Sequence, residues 1–93
     1  MRLDKFLQVS RLVKRRTVAN TLCRRGRIAV NGHKAKAGKE LTTGDVLSIT
    51  FADDDTLVCE VVEVPFGNVP KAKAPTLYRR INESVPTHLM SNE

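Results

Sequence analysis

Asn31-Gly32 restricts the backbone more than any other pair of neighbours in the chain. Both residues tolerate positive φ, the requirement of a two-residue type I′ turn. Arg27-Ile28-Ala29-Val30 and His33-Lys34-Ala35-Lys36 are therefore expected as the two arms of a β-hairpin. After Gly44-Asp45, residues Val46 to Phe51 alternate with Leu47, Ile49 and Phe51 on one side, and Leu57 to Val64 is a β-branched run. Asp53, Asp54 and Asp55 are expected to turn between them. Upstream, Leu3, Phe6 and Leu7 recur at i, i+3, i+4, which predicts a short helix over about residues 2–9. Ser10 to Arg16 reads as a connection. Thr17 then offers an N-cap oxygen to a second helix carrying Val18, Ala19 and Leu22, and Gly26 suits its C′ position. The order helix, helix, hairpin, hairpin is an α+β fold, with two short N-terminal helices packed on one face of a small antiparallel sheet. Phe66 to Pro75 reads as a linker, Thr76 to Ile81 as one or two helical turns, and the chain from Pro86 onward as frayed. This divides the chain into a folded unit, 1–65, and an appendage, 66–93.

Size and charge narrow the function. The chain has 93 residues and a mass of 10.4 kDa, enough for one domain. A domain of this size buries roughly 60 to 65% of the surface its unfolded chain exposes, which makes a modest core and no deep lidded pocket. Cys23 and Cys59 stand far apart with no C-x-x-C spacing, so neither a zinc site nor a disulfide framework is indicated. Both read as small core hydrophobes in a reducing compartment. The N-terminus is charged from Arg2 onward, and no stretch approaches the roughly 20 apolar residues of a membrane span. A soluble, cytoplasmic protein is expected. The net charge of +6 is unevenly placed. Residues 1–39 hold twelve bases and a single acid, Asp4, whereas residues 40–70 hold seven acids and no base. Such a polar molecule would orient in the field of a nucleic acid.

The candidate binding surface is the basic run. Arg11, Lys14, Arg15 and Arg16, then Arg24, Arg25 and Arg27, put seven bases and no acid into residues 11–27. Like charges packed this closely repel by roughly 1 kcal/mol per close pair in water, a cost that a phosphate-bearing partner removes. Arg24 and Arg25 also suit a helix C-terminus, where each gains about 0.3 to 1 kcal/mol from the macrodipole without any ligand. Arg2 and Lys5 on the first helix and Lys34 on the hairpin extend the surface. The aromatic residues are Phe6, Phe51, Phe66 and Tyr78, and with Phe6 and Phe51 assigned to the core an open stacking platform for single-stranded bases is disfavoured against recognition of phosphates and shape. Val18 to Arg25 is short for a helix that reads a DNA major groove.

Arg2-Leu3-Asp4-Lys5-Phe6-Leu7, Ser10-Arg11-Leu12, Arg15-Arg16-Thr17-Val18-Ala19, Gly26-Arg27-Ile28, Val30-Asn31-Gly32 and Gly44-Asp45 follow a known pattern in order and spacing. Over residues 1–51 the chain resembles the RNA-binding domain named after small-subunit ribosomal protein S-four. The resemblance implies that the two helices and the following hairpin form an alpha-L RNA-binding motif. It places RNA contacts at Arg2, Lys5, Arg11, Arg15 and Arg16, beside a hairpin shaped by Asn31-Gly32. Among small stand-alone members, the chain is most similar to those of bacterial ribosome-associated quality control. Next is the heat-shock-induced member that binds free large ribosomal subunits and has a longer basic C-terminal extension. The resemblance further implies a non-enzymatic factor, and the chain is expected to need no cofactor or metal and to work as a monomer. It would bind large-subunit ribosomal RNA and the peptidyl-site tRNA on obstructed large subunits, beside RqcH during alanine tailing. Asp4 is expected to orient Arg2 or cap the first helix, with a solvated helix-start acid as the alternative.

Catalysis has little support. The same domain is appended to pseudouridine synthases and to a tRNA synthetase, but those need a separate catalytic domain. Gly32 to Lys39 resembles a phosphate loop only loosely: five residues separate Gly32 from Gly38 instead of four, and Glu40 stands where a magnesium-binding Ser or Thr belongs. His33 and His88 are expected at the surface. Two non-enzymatic rivals are a DNA-binding regulator and a protein adaptor that uses the acidic half. Lys71, Lys73, Arg79 and Arg80 are expected on a solvated tail, and Asp53-Asp54-Asp55 as a solvated turn, with repulsion of RNA toward a protein partner as its other reading.

Overall fold

The computed structural model describes residues 1–67 and 69–81. Helix α1 spans Leu3–Val9 and buries Leu3, Phe6 and Leu7 completely, as their helical spacing requires. It ends through Ser10, whose hydroxyl donates to the Leu7 carbonyl at 3.2 Å, and Arg11, whose φ of 63° is left-handed. Helix α2 spans Arg16–Arg24 and turns Ala19 and Cys23 inward. It starts one residue before the expected cap. Arg15 is extended at the N-cap with no side-chain cap bond, and its carbonyl accepts the first helical bond from Ala19 N–H at 3.1 Å. Thr17 therefore lies inside the first turn. Gly26, at φ 69°, closes the helix as its C′ residue.

One sheet of five antiparallel strands carries the rest, in the order β2-β1-β3-β4-β5. The strands are β1 (Ile28–Val30), β2 (His33–Lys34), β3 (Val46–Thr50), β4 (Thr56–Val61) and β5 (Tyr78–Arg80). Val30 pairs with His33, leaving Asn31 (φ 52°) and Gly32 (φ 85°) as the two turn residues with the positive φ values of a type I′ turn. Asn31 does more than turn the chain. Its Oδ1 accepts from Val46 N–H at 2.9 Å and its Nδ2 donates to Asp45 Oδ1 at 3.1 Å, which fastens the first hairpin to the second. Pairing of Ile28, Ala29 and Val30 with Ile49, Ser48 and Leu47 merges the two hairpins. Ile28, Val30, Leu47, Ile49, Cys59 and Val61 face one side and meet α1 and α2 there. Phe51 joins this core only partly.

The segment after Val64 departs from expectation. Lys71–Leu77 is a 3₁₀ helix, and Tyr78–Arg80 is an edge strand on β4 where helical turns were expected. Long-range pairing decides this: Ala74 and Leu77 are buried, and Val62 and Glu63 N–H both donate to the Leu77 carbonyl. The frayed segment expected from Pro86, with His88, lies outside the described residues.

Candidate nucleic-acid interface

Residues 35–41 cross the start of α1 and hold it. Leu3 N–H donates to the Lys39 carbonyl at 2.8 Å, Asp4 N–H to the Ala37 carbonyl at 3.1 Å, and the backbones of Arg2 and Glu40 form an antiparallel β-bridge. This loop, the α1–α2 connection and α2 together frame the basic half of the molecule.

Its centre is an acid. Asp4 is 1% exposed. Its Oδ1 accepts from Arg2 Nε at 3.2 Å and from Arg16 Nη2 at 3.5 Å, and its Oδ2 accepts from Asn20 Nδ2 at 2.9 Å and lies 3.2 Å from Arg16 Nε in an ion pair. Burial by itself would raise the carboxyl, but the bonds from Arg16, Arg2 and Asn20, with the charge of Arg16, hold it below the ordinary carboxylate value. Both guanidiniums keep about half their side-chain surface in solvent, 51% for Arg2 and 45% for Arg16, so they are fixed and still reachable. The solvated reading of Asp4 is thus overturned; Asp4 lies within α1 rather than at its N-cap, yet its Oδ1 accepts from the first-turn Lys5 N–H at 2.8 Å. The orientation of Arg2 stands, with Arg16 added. Arg16 and Asn20 are four apart on α2, a shared-face spacing that the sequence displayed but that did not disclose an acid from another helix as their partner.

The other expected contact residues fall into two groups. Arg11, Lys14 and Arg15 follow one another along the α1–α2 connection, all exposed, and Lys5 is half-buried on α1. Arg24, Arg25 and Lys34 line a groove of about 590 Å³ between the end of α2 and β2, together with Lys36 and Asn20, which the sequence did not single out. Lys34 lies across Gly26, where a Cβ would meet its Cδ, Cε and Nζ at 3.3 Å. Glycine there serves both the positive φ and this close approach.

Pairing separates structural bases from available ones. Arg27 is half-buried and engaged, donating to Asp54 Oδ1 at 2.9 Å and to the Phe51 carbonyl at 3.1 Å, so the Asp53–Asp55 turn is anchored rather than merely solvated. Lys73 pairs with Glu63 at 3.3 Å and Arg79 pairs with Glu60. By contrast, among the described residues, nine bases of the 1–39 half have no carboxylate within ion-pair distance: Lys5, Arg11, Lys14, Arg15, Arg24, Arg25, Lys34, Lys36 and Lys39. Such a face attracts a polyanion by its electrostatics. Burial pushes both thiols up, Cys59 to about 11, and in Cys23 the Asp4 charge adds to it, so neither is poised as a nucleophile.

Residues 1–47 match the model of the S4 domain. The chain is 53% identical over 78 residues to the RQC P-site tRNA stabilizing factor of Halalkalibacterium halodurans, covering 84% of this chain and 86% of that protein. It is 29% identical to heat shock protein 15 of Escherichia coli, over 91% of this chain and 63% of that one. Among solved structures, the trimeric heat shock protein 15 of Vibrio cholerae superposes with a TM-score of 0.80 at 26% identity, over 91% of this chain and 85% of that one.

Proposed function

The chain belongs to the S4 domain family, and from that membership we propose that it binds RNA on the large ribosomal subunit and stabilises the peptidyl-site tRNA during ribosome-associated quality control. The observation that carries this reading is the cationic face itself: nine bases, gathered on the part of the chain that matches the family, with no ion-pair partner among the described residues. An exposed charge cluster of one sign is costly in the free protein and is relieved by phosphates. Arg2, Lys5, Arg11, Lys14, Arg15, Arg16, Arg24, Arg25 and Lys34 are the proposed RNA contacts. The factor acts by binding, without catalysis, as a cytoplasmic monomer beside RqcH while alanine tails are added. Its similarity to the quality-control relative is nearly twice its similarity to heat shock protein 15, which supports tRNA stabilisation over handling of free subunits.

The test is co-sedimentation of the wild-type chain and a Lys14→Ala/Arg15→Ala variant with large subunits from lysate. Both side chains are exposed and unpaired, so their loss leaves the fold intact. Wild type on subunits that carry peptidyl-tRNA and RqcH, with the variant released, is the expected result. Wild type on free subunits lacking tRNA would move the assignment to the heat-shock type of role, and absence from every ribosomal fraction would end the ribosomal reading.

A further inference from the structure

The groove beside the end of α2 has more chemistry than phosphate binding needs. At about 590 Å³ it falls within the roughly 300–1,000 Å³ of small-ligand pockets. Its lining is graded by depth. Cys23 is buried and Ala35 and Ala37 are half-buried, whereas Arg24, Arg25, Lys34 and Lys36 are exposed. An apolar floor thus lies under a cationic rim. Phosphates have no use for the floor, but the face of a base does.

Asn20 adds a polar marker at one side. Its Nδ2 donates to Asp4 Oδ2 at 2.9 Å, and a carboxylate can only accept, so the amide cannot be flipped. Oδ1 is therefore the branch left for a ligand, and apart from the weak Cys23 sulfur it is the side-chain acceptor among groove residues that otherwise offer donors or methyl groups. We propose that this groove receives one unpaired nucleotide of the bound RNA. The base lies against Cys23, Ala35 and Ala37, an N–H or O–H of the nucleotide donates to Asn20 Oδ1, and its phosphates meet the exposed cations. Paired bases in an A-form helix cannot reach such a floor, so the nucleotide comes from a loop, bulge or end. This rests on the RNA-binding reading above and narrows it from general backbone contact to one extruded base, held without an aromatic platform.

The experiment uses the full chain labelled with ¹⁵N and titrated with adenosine 5′-monophosphate, and in parallel with inorganic phosphate. The nucleotide is expected to shift the amide signals of Asn20, Cys23, Ala35 and Ala37, and phosphate only those of the cationic rim. Ala35→Leu, which fills the groove without altering charge, is expected to remove the nucleotide-specific shifts. It should also weaken binding to large ribosomal subunits tenfold or more, with an unchanged slope of log affinity against log salt. Identical shifts from phosphate and nucleotide would overturn the proposal on wild-type protein alone, whatever the variant's stability. Wild-type affinity for subunits in a folded Ala35→Leu chain would overturn it too. Nucleotide-specific shifts in a wild-type chain that binds no subunits would support the groove and sink the ribosomal reading instead.

Discussion

Asp4 lets charge and geometry be told apart, because they predict opposite signs. Asp4→Asn removes one negative charge and so raises the net charge by one, and a count of charges predicts tighter binding to a polyanion. If the carboxylate instead holds the Arg2 and Arg16 guanidiniums in place, the variant loses a preorganised arrangement. We expect affinity for large subunits to fall about tenfold, some 1.4 kcal/mol, while Asp53→Asn, the same charge change in an exposed turn, leaves it within about twofold. Filter binding of both variants decides the matter. The same carboxyl sets an acid dependence. Its folded value lies below its unfolded one, so its contribution to stability is present above the ordinary carboxylate value of about 3.9 and is lost as pH falls through the lower folded value. Thermal melts of wild type should therefore lose stability below about pH 4 more steeply than those of Asp4→Asn. Arg11 is a second residue at which binding and stability part. Its left-handed φ of 63° costs a side-chain-bearing residue roughly 1–2 kcal/mol, of which glycine recovers a share after its own entropy cost of about 0.5–1 kcal/mol. Arg11→Gly should raise the melting temperature by a few degrees and weaken RNA binding several-fold, as melting and binding curves on one preparation would show.

Elements whose signal is local were legible in the sequence, and those decided by distant partners were not. The Asn31-Gly32 turn, the Leu3-Phe6-Leu7 face and the glycine at the end of α2 are each dictated within a few residues, and each stands where expected. Thr17 did not cap α2, because the helix starts at Arg16, the residue whose side chain is tied to Asp4 twelve positions earlier. Tyr78–Arg80 offers no strong local period, and only the open edge of β4 makes it a strand. The binding face was legible as a charge run, yet its division into paired and unpaired bases was not, since Arg27 and Arg24 look alike until Asp54 is folded against one of them. The late elements are integral to the core. Leu77 is wholly buried between the 3₁₀ segment and the sheet, so Leu77→Ala should cost about 2–5 kcal/mol. For a domain of this size that is a fall of about 10 °C or more in Tm, measurable by circular dichroism. A chain ended at Pro65 should melt lower still, whereas a melting temperature unchanged by either alteration would make the segment dispensable.

Across the whole molecule the two charged halves are unequal in effect, although the sequence makes them look like opposites. In the described acidic stretch, Glu40, Asp54, Glu60 and Glu63 are all in ion pairs and Asp45 is bound by Thr42 N–H and Asn31. Asp45, Asp53 and Asp55 keep charges with no ion-pair partner among the described residues, so the negative field is reduced rather than removed. Among the described residues the bases of the first 39 are mostly unpaired, so a molecule 41 × 29 × 22 Å in extent presents one strongly charged face and one partly neutralised face. Binding should accordingly be steered by the basic face, with little to gain or lose from the other. Counterion release makes this quantitative. If five to nine phosphates are neutralised, log affinity should fall against log salt with a slope of roughly −3.5 to −6 at about 0.7 per phosphate of single-stranded character. Lys14→Ala/Arg15→Ala should flatten the slope by about 1.4, since two contacts are removed. Asp53→Asn with Asp55→Asn should leave the slope and the affinity nearly unchanged. A slope near zero in the wild type would assign binding to something other than this face, and a marked gain from the aspartate changes would show that the acidic turn opposes RNA from close range rather than facing away from it.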